Sequence, residues 1–427
     1  MEAPILIGQL ELTAPITDIQ LPPREDGQVY TAVQLLVRME HIPVGHVLLT
    51  IHDLRASAVS HQIWQTLGSV INERRGRVGL PALLEIPRDG IPVEKQLGGE
   101  VVSRPLVSVV VCTRDRPGSL MKTLKDLASL NYSSFEVVVV DNAPSSDATQ
   151  NAVLDRFGAD SRFRYVCEPR PGLSRARNRG ILEAAGDYVA FTDDDVRVDQ
   201  WWLDGIMRGF QTSANVECVT GMIATAEINN MVQLYFHIRA GWGTNCERRL
   251  FDLFEHSDAS PLYPYTVGRF GAGANFAVTR AVVKEIGGFD EALGAGAPSG
   301  GGEDLNMFMR VILGGYCLVY EPSAVVWHEH RADLPALSKQ MRAYGTGLTA
   351  ALTAIMIQSA RARRELPTRV LKGVAHMAKL QGGVRTNQNL PPGLVGREII
   401  GYLMGPLLYM KGWGNLRRLR KSLTVID

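Results

Sequence analysis

The sequence predicts an α/β protein built on a doubly wound sheet, with a small α/β unit before it and helices after it. Two observations predict this. Residues 107–112 and 135–140 are continuous apolar, mostly β-branched runs, the composition of parallel strands covered on both faces. Around them the chain alternates strand and helix, which implies right-handed crossovers and one wound sheet.

Taken in order, residues 33–38 and 46–51 read as two strands of a hairpin, with Pro43-Val44-Gly45 as the turn signal. A helix is expected over 58–73, where Ile63, Leu67, Val70 and Ile71 share a face. Gly98-Gly99 and Pro105 bracket a linker, so the units are set at 1–104, 105–345 and 346–427. In the second unit Leu120, Leu124 and Leu127 space a helix over 119–130. A strand follows at 163–167, a helix at 173–185 and a strand at 188–191. Ligands of such sheets bind beyond the carboxyl ends of the strands. Thr113 to Arg116, Asp141-Asn142 and Asp193 to Asp195 stand at those ends.

Composition narrows the function. Among 427 residues, 45 Lys and Arg almost cancel 44 Asp and Glu, which argues against a nucleic-acid binder. The five cysteines are widely spaced, odd in number and without a C-x-x-C pair, so neither a disulfide framework nor a zinc site is suggested. The first residues lack the basic segment and long apolar core of a secretory signal, and no uncharged apolar run is long enough to span a bilayer. These features fit a cytoplasmic protein, or one held peripherally at the inner face of the cell membrane.

The most informative stretch is Tyr188 to Asp195, an apolar strand that ends in Asp193-Asp194-Asp195. Neighbouring carboxylates repel, and a divalent cation with hard oxygen preference relieves the repulsion while binding substrate phosphates. The two readings are a metal and diphosphate site or a solvated acidic turn.

Further elements decide between them. They are the strip from Val107 to Pro117, Val138 to Asn142, Gly172 to Gly180, the acidic run, Gly287-Gly288-Phe289-Asp290 and Gly302-Glu303-Asp304-Leu305. With these six in order, residues 107 to about 331 resemble a family 2 glycosyltransferase of the GT-A fold. The resemblance implies an inverting, metal-dependent transfer of a sugar from a UDP-, GDP- or dTDP-sugar to a hydroxyl on a glycan, a lipid-linked acceptor or a small molecule. It assigns Asp141 to the nucleoside, Asp195 to a Mn²⁺ or Mg²⁺ ion, and Asp193 to the ribose or the metal. Thr113, Arg114, Arg116 and Asp194 are further candidates for nucleotide-sugar contact, and Arg177 follows them because guanidinium groups match phosphate edges. His328 is the candidate third metal ligand, or else a histidine packed in the core. Asp304 suits the base that deprotonates the acceptor, with Glu303 orienting acceptor or base, although an Asp there also suits the start of a helix over 305–313. Asn275, in a Gly- and Ala-rich strip, is a candidate sugar contact, and the same small residues suit close packing. Residues 294–302, rich in Gly, read as a mobile loop closing over the site.

Two other classes stand beside this one: a sugar-nucleotide nucleotidyltransferase and a non-catalytic nucleotide-sugar-binding scaffold. The first needs a Gly-rich basic loop after the first strand, and Cys112 to Pro117 contains no Gly; Asp193, Asp195 and Asp304 weigh against the second. Beyond the central unit, residues 345–359 and 399–410 are apolar and each is followed by cations, Arg361, Arg363 and Arg364, then Lys411, Arg417, Arg418, Arg420 and Lys421. They read either as interfacial helices on an anionic membrane surface or as helices packed on the central domain.

Overall fold

The computed structural model describes residues 2–94, 101, 103–257, 260–266, 268–381 and 394–423. The expected architecture is present: a small N-terminal α/β unit, a mixed doubly wound sheet and C-terminal helices. Strands β1 (Ile5–Glu11), β2 (Ala32–Met39) and β3 (Ile42–Thr50) form the first sheet, and α1 (Ala56–Arg77) covers it with Val59, Ile63, Leu67 and Ile71. The hairpin turns earlier than expected, at Glu40 and His41, both with left-handed φ of 54° and 64°. A two-residue turn of that hand matches the twist of the strands it joins, so Pro43 to Gly45 fall inside β3. Strand β1, parallel to β2, was not anticipated. The expected linker residues Gly98 and Gly99 lie outside the described residues.

The central sheet follows with β4 (Val107–Thr113), α2 (Pro117–Ala128), β5 (Phe135–Asn142), α3 (Ala148–Phe157), β6 (Phe163–Glu168), α4 (Leu173–Glu183) and β7 (Tyr188–Asp193). Then come β8 (Val196–Val198), α5 (Trp202–Phe210), β9 (Val216–Thr225), α6 (Met231–Ala240), β10 (Arg249–Phe251), β11 (Asn275–Thr279), α7 (Arg280–Ile286), α8 (Glu303–Leu313) and β12 (Cys317–His328). The strand order is β10-β12-β9-β11-β7-β4-β5-β6, with β8 on β12. The half from β7 to β6 is parallel; β11 runs antiparallel to both β7 and β9. Strands β4 and β5 bury their valines on both faces, which is why they read as unbroken apolar runs.

The N-terminal unit is docked on this sheet. Arg38 and Asp199, both nearly fully buried, pair at 2.7 Å; His41 stacks on Trp201 with ring centroids 4.1 Å apart; Leu36 packs with Met222, Ala224 and Val325.

The chain continues as α9 (Leu334–Gln358), α10 (Ala360–Gln381) and α11 (Leu394–Leu423). Helices α9 and α11 approach through small residues. A side chain at Gly345 would overlap the Glu398 carbonyl, and one at Gly405 would overlap Thr349. Tyr409, buried, donates to Asp290 Oδ2 at 2.9 Å and ties α11 to the central domain. Among the described residues no helix is long and apolar enough to cross a membrane.

Candidate active site

Strand β4 lies between β5 and β7, and their registers place Thr113 beside Asp141 and Cys112 beside Asp193. The polar ends of three parallel strands therefore open onto one rim. The chain then turns from β7 into β8 through Asp194 and Asp195. Alternation of side chains along an extended segment separates the three carboxylates. Asp194 turns inward, 2% exposed, accepting from Thr113 Oγ1 at 2.6 Å and pairing with Arg116 Nη2 at 2.7 Å. Burial pushes its carboxyl up to about 6, against the opposing pull of Thr113 and Arg116. Thr113 and Asp194, both expected as sugar-nucleotide contacts, bond to each other and help hold the turn. Asp193 and Asp195 remain outside.

Asp195 is surrounded by cationic and imidazole groups. Arg116 Nη1 lies 3.0 Å, Arg331 Nη2 3.8 Å and His328 Nε2 3.9 Å from its oxygens. Arg116 thus straddles Asp194 and Asp195, while Arg114 is exposed beyond them with a 3.7 Å pair to Asp115. Among the described residues, no group of three or more His, Cys, Asp or Glu side chains is assembled to hold a metal by itself. The donor chemistry nevertheless fits an ion shared with a diphosphate. Mg²⁺-type sites use one or two carboxylates and complete the shell with substrate oxygens. His328, at the end of β12 and buried, has an Nδ1 without a partner and an Nε2 facing Asp195. Asp193, Asp195 and His328 are the residues that would hold such an ion.

Asp141 is buried at the tip of β5, with Oδ2 accepting from Tyr165 Oη at 3.0 Å and Oδ1 lacking a hydrogen-bond partner. Burial raises its pKa, with Asp115 adding to the effect, against the Tyr165 bond and the nearby Thr149 hydroxyl. This oxygen is thus a buried acceptor at the strand end that no donor among the described residues satisfies.

Arg177 departs from expectation. It projects from α4 into the interior, 3% exposed, with Nη1 2.9 Å from Glu303 Oε1, Nη2 3.0 Å from the Gly273 carbonyl and 3.6 Å from Asp193 Oδ1. The rings of Phe276 and Phe289 lie 5.5 Å from its guanidinium carbon. Arg177 thus bridges two carboxylates from inside the domain, where a nucleotide-reading group was expected. Glu303 is pushed up to about 7 by burial and then by Asp304, against the attraction of Arg177.

Helix α8 starts after Gly302, whose φ of 91° and tight approach to the Gly347 carbonyl both call for glycine. That start puts Glu303 and Asp304 in the first turn, where Asp304 Oδ1 accepts from Leu305 N at 2.8 Å. A Cβ at Gly273 would lie 3.0 Å from both Arg177 Nη2 and Asp304 Oδ2, so this glycine lets the two side chains converge. The Gly-rich segment before α8 is folded back on itself: Gly294 N donates to Gly301 O at 3.2 Å, and Thr346 Oγ1 of α9 donates to Ser299 O at 2.7 Å. It forms a braced turn, where a mobile loop was expected.

Asn275, expected as a sugar contact, points into the interior. It is fully buried at the start of β11, donating to the carbonyls of Met222 and Ala324 at 2.8 Å each and accepting from Trp202 Nε1 at 2.8 Å. Its hydrogen bonds stitch β11 to neighbouring elements and leave nothing for a sugar.

Sequence reasoning gave no site role to Arg331, three residues past His328, or to Tyr344. The Tyr344 hydroxyl accepts from Gln340 Nε2 at 2.6 Å, and its ring belongs to an aromatic group with Trp242 and Phe236. Burial raises its pKa, with Asp304 and Asp193 adding to the effect. The signal available was the Gln340/Tyr344 spacing of one helical turn, which carries no weight until α9 is placed against Asp304.

The model of Glycosyl transferase family 2 matches residues 108–287. A Pre-mycofactocin glycosyltransferase from Mycobacterium tuberculosis is 26% identical over 229 residues, covering 53% of this chain and 43% of the relative. The chain thus spans less than half of that relative. The Succinoglycan biosynthesis protein ExoM from Rhizobium meliloti is 28% identical over 243 residues, 55% of this chain and 71% of the relative. Among solved structures, a mannosyltransferase from Pyrobaculum calidifontis in complex with GDP-Man and Mn²⁺ aligns with a TM-score of 0.46 and 17% identity, covering 73% of this chain and 87% of that one. S. aureus TarS 1–349 in complex with UDP-GlcNAc aligns at 0.45 and 14%, covering 72% and 92%. The central domain of this chain, residues 108–287, belongs to glycosyl transferase family 2.

Proposed function

We propose that the chain is an inverting glycosyltransferase that moves a sugar from a nucleoside-diphosphate donor to a hydroxyl on a glycan or lipid-linked acceptor. The observation that carries this reading is the Arg177 bridge, which joins Asp193 on the donor side to Glu303, beside Asp304, on the acceptor side. Asp141, with its free buried oxygen, receives the base of the nucleotide. Arg116 and Arg331, already gathered at Asp195, offer guanidinium groups to the diphosphate. A Mn²⁺ or Mg²⁺ ion held by Asp193, Asp195 and His328 would neutralise charge on the leaving diphosphate. Asp304 takes the proton of the acceptor hydroxyl as the new C1–O bond forms and the bond from C1 to the diphosphate oxygen breaks on the opposite face. Glu303 and Arg177 keep that carboxylate in place. An anionic membrane surface is part of this reading as the partner that presents a lipid-linked acceptor, with the chain at the inner face of the cell membrane.

Two variants test it. Asp195→Ala should abolish metal-dependent binding of UDP or GDP in calorimetry, and undiminished binding would sink the donor assignment. Asp304→Asn keeps the shape and loses the basicity, so turnover of a sugar nucleotide should fall about a hundredfold or more with donor affinity little changed. Near-normal turnover would show that another group takes the proton.

A further inference from the structure

Helix α11 has two faces of opposite use. One packs on α9 through Gly401, Gly405 and Tyr409. The other carries Ile399, Ile400, Leu403, Leu407 and Met410, all exposed, with Leu403 at 73% and Leu407 at 66%. At 3.6 residues per turn these five fall within an arc of about 100°, and Arg417 and Arg418 continue the same arc at its C-terminal end. Five large apolar side chains on one helical stripe are more than the scattered exposed residues of an ordinary surface. Something of low polarity covers them.

Charge identifies what. Residues 394–423 contain six Lys and Arg, namely Arg397, Lys411, Arg417, Arg418, Arg420 and Lys421, and one acid, Glu398. That acid lies on the buried side, paired with Arg239 at 2.8 Å and bonded to Tyr402, so no carboxylate of α11 itself faces the stripe. An apolar stripe with cations and no anions matches the acyl and headgroup layers of an anionic bilayer. We infer that this face of α11 docks on an anionic lipid bilayer, with Leu403 and Leu407 inserted at the acyl boundary and Lys411, Arg417 and Arg418 among the headgroups. The sequence offered interfacial helices and packed helices as alternatives; α11 is both, one on each face. The inference rests on the proposed function only for its purpose, delivery of a lipid-linked acceptor, since Ser299 and Gly302 beside the site are braced by α9, against which α11 packs.

The test is co-sedimentation of the full chain at low salt with vesicles of phosphatidylcholine alone or with added phosphatidylglycerol. The expected result is binding to the anionic vesicles that added salt weakens. The double variant Leu403→Glu/Leu407→Glu should lose about tenfold or more in affinity, since burying one leucine corresponds to about that factor. Arg417→Glu/Arg418→Glu should remove the preference for phosphatidylglycerol. These side chains are exposed, so the melting temperature and UDP or GDP binding should stay as in the unaltered chain. Vesicle binding that fails while nucleotide binding persists overturns this inference and leaves the enzymatic reading intact; the converse result overturns the enzymatic reading alone. Equal binding by the leucine variant, or a dimer in light scattering that the same variant dissolves, assigns the face to another partner and also overturns it.

Discussion

At the scale of single residues the site is governed by carboxylates that share too few cations. Arg177 is the buried cation that touches both Asp193 and Glu303, so removing it leaves two carboxylates uncompensated. Breaking a buried ion pair from one side costs about 3–5 kcal/mol. Arg177→Met, of similar volume, should therefore lower the urea midpoint substantially, and a midpoint within error of the unaltered chain would refute the bridging role. Glu303 adds a pH dependence of defined sign. Its folded-state pKa of about 7 lies above the ordinary carboxylate value of 4.5, so between these the folded chain holds a proton that the unfolded chain has released. Stability from this group is present at low pH and is lost as the pH rises through about 7. Glu303→Gln cannot titrate. In calorimetry of the nucleotide-free protein, its melting temperature should fall less between about pH 5 and about pH 8 than that of the unaltered chain. Equal falls would place the titration elsewhere.

At the scale of elements, what could be read from the sequence follows the physics of each segment. Strands β4, β5 and β7 announced themselves because parallel strands buried on both faces need uninterrupted apolar residues, and their ends located Asp141 and Asp193 to Asp195. Helix α3 was missed since its buried residues, Thr149, Val153 and Phe157, include a polar one that blurs the periodicity. Asn275 was misplaced for a reason of pairing. Its residue types suit a pocket wall, but antiparallel register with Thr192 on one side of β11, and bonds to Met222 and Ala324 on the other, turn its amide inward. No local signal reports a register set by strands distant in sequence. The close contact of α9 and α11 was equally invisible, although its glycines stood in plain sight. Gly405→Leu tests that contact: no rotation of the side chain avoids Thr349 and the Thr346 carbonyl, so α11 must separate from α9. Increased proteolysis after residue 394 is the expected outcome, and a digestion pattern like that of the unaltered chain would mean the helices do not depend on this approach.

At the scale of the whole molecule, the N-terminal unit acquires a role that its own residues do not announce. It carries no cluster of chemistry, yet Arg38 of β2 reaches across to Asp199, in the turn that follows β8. Asp199 Oδ1 also accepts from Trp201 N at 3.0 Å at the start of α5, while its other oxygen takes the Arg38 guanidinium at 2.7 Å. Strand β8 begins directly after Asp195 and pairs with the end of β12 that carries His328. The ion pair is thus one short strand away from the proposed metal ligands, and the unit that supplies Arg38 acts as a brace for them. Arg38→Met removes the cation while keeping the bulk, leaving Asp199 buried with an oxygen that has lost its partner, at a cost of about 3–5 kcal/mol. Adding Asp199→Asn to that variant removes the stranded charge and should recover part of the lost stability, because the penalty comes chiefly from the unpaired carboxylate. If the brace holds the site as well as the fold, Arg38→Met should also weaken metal-dependent UDP or GDP binding at a temperature where the variant is fully folded. A loss of stability with unaltered nucleotide affinity would confine the N-terminal unit to supporting the sheet, because a strand that shifted with its brace could not leave Asp195 and His328 where they were.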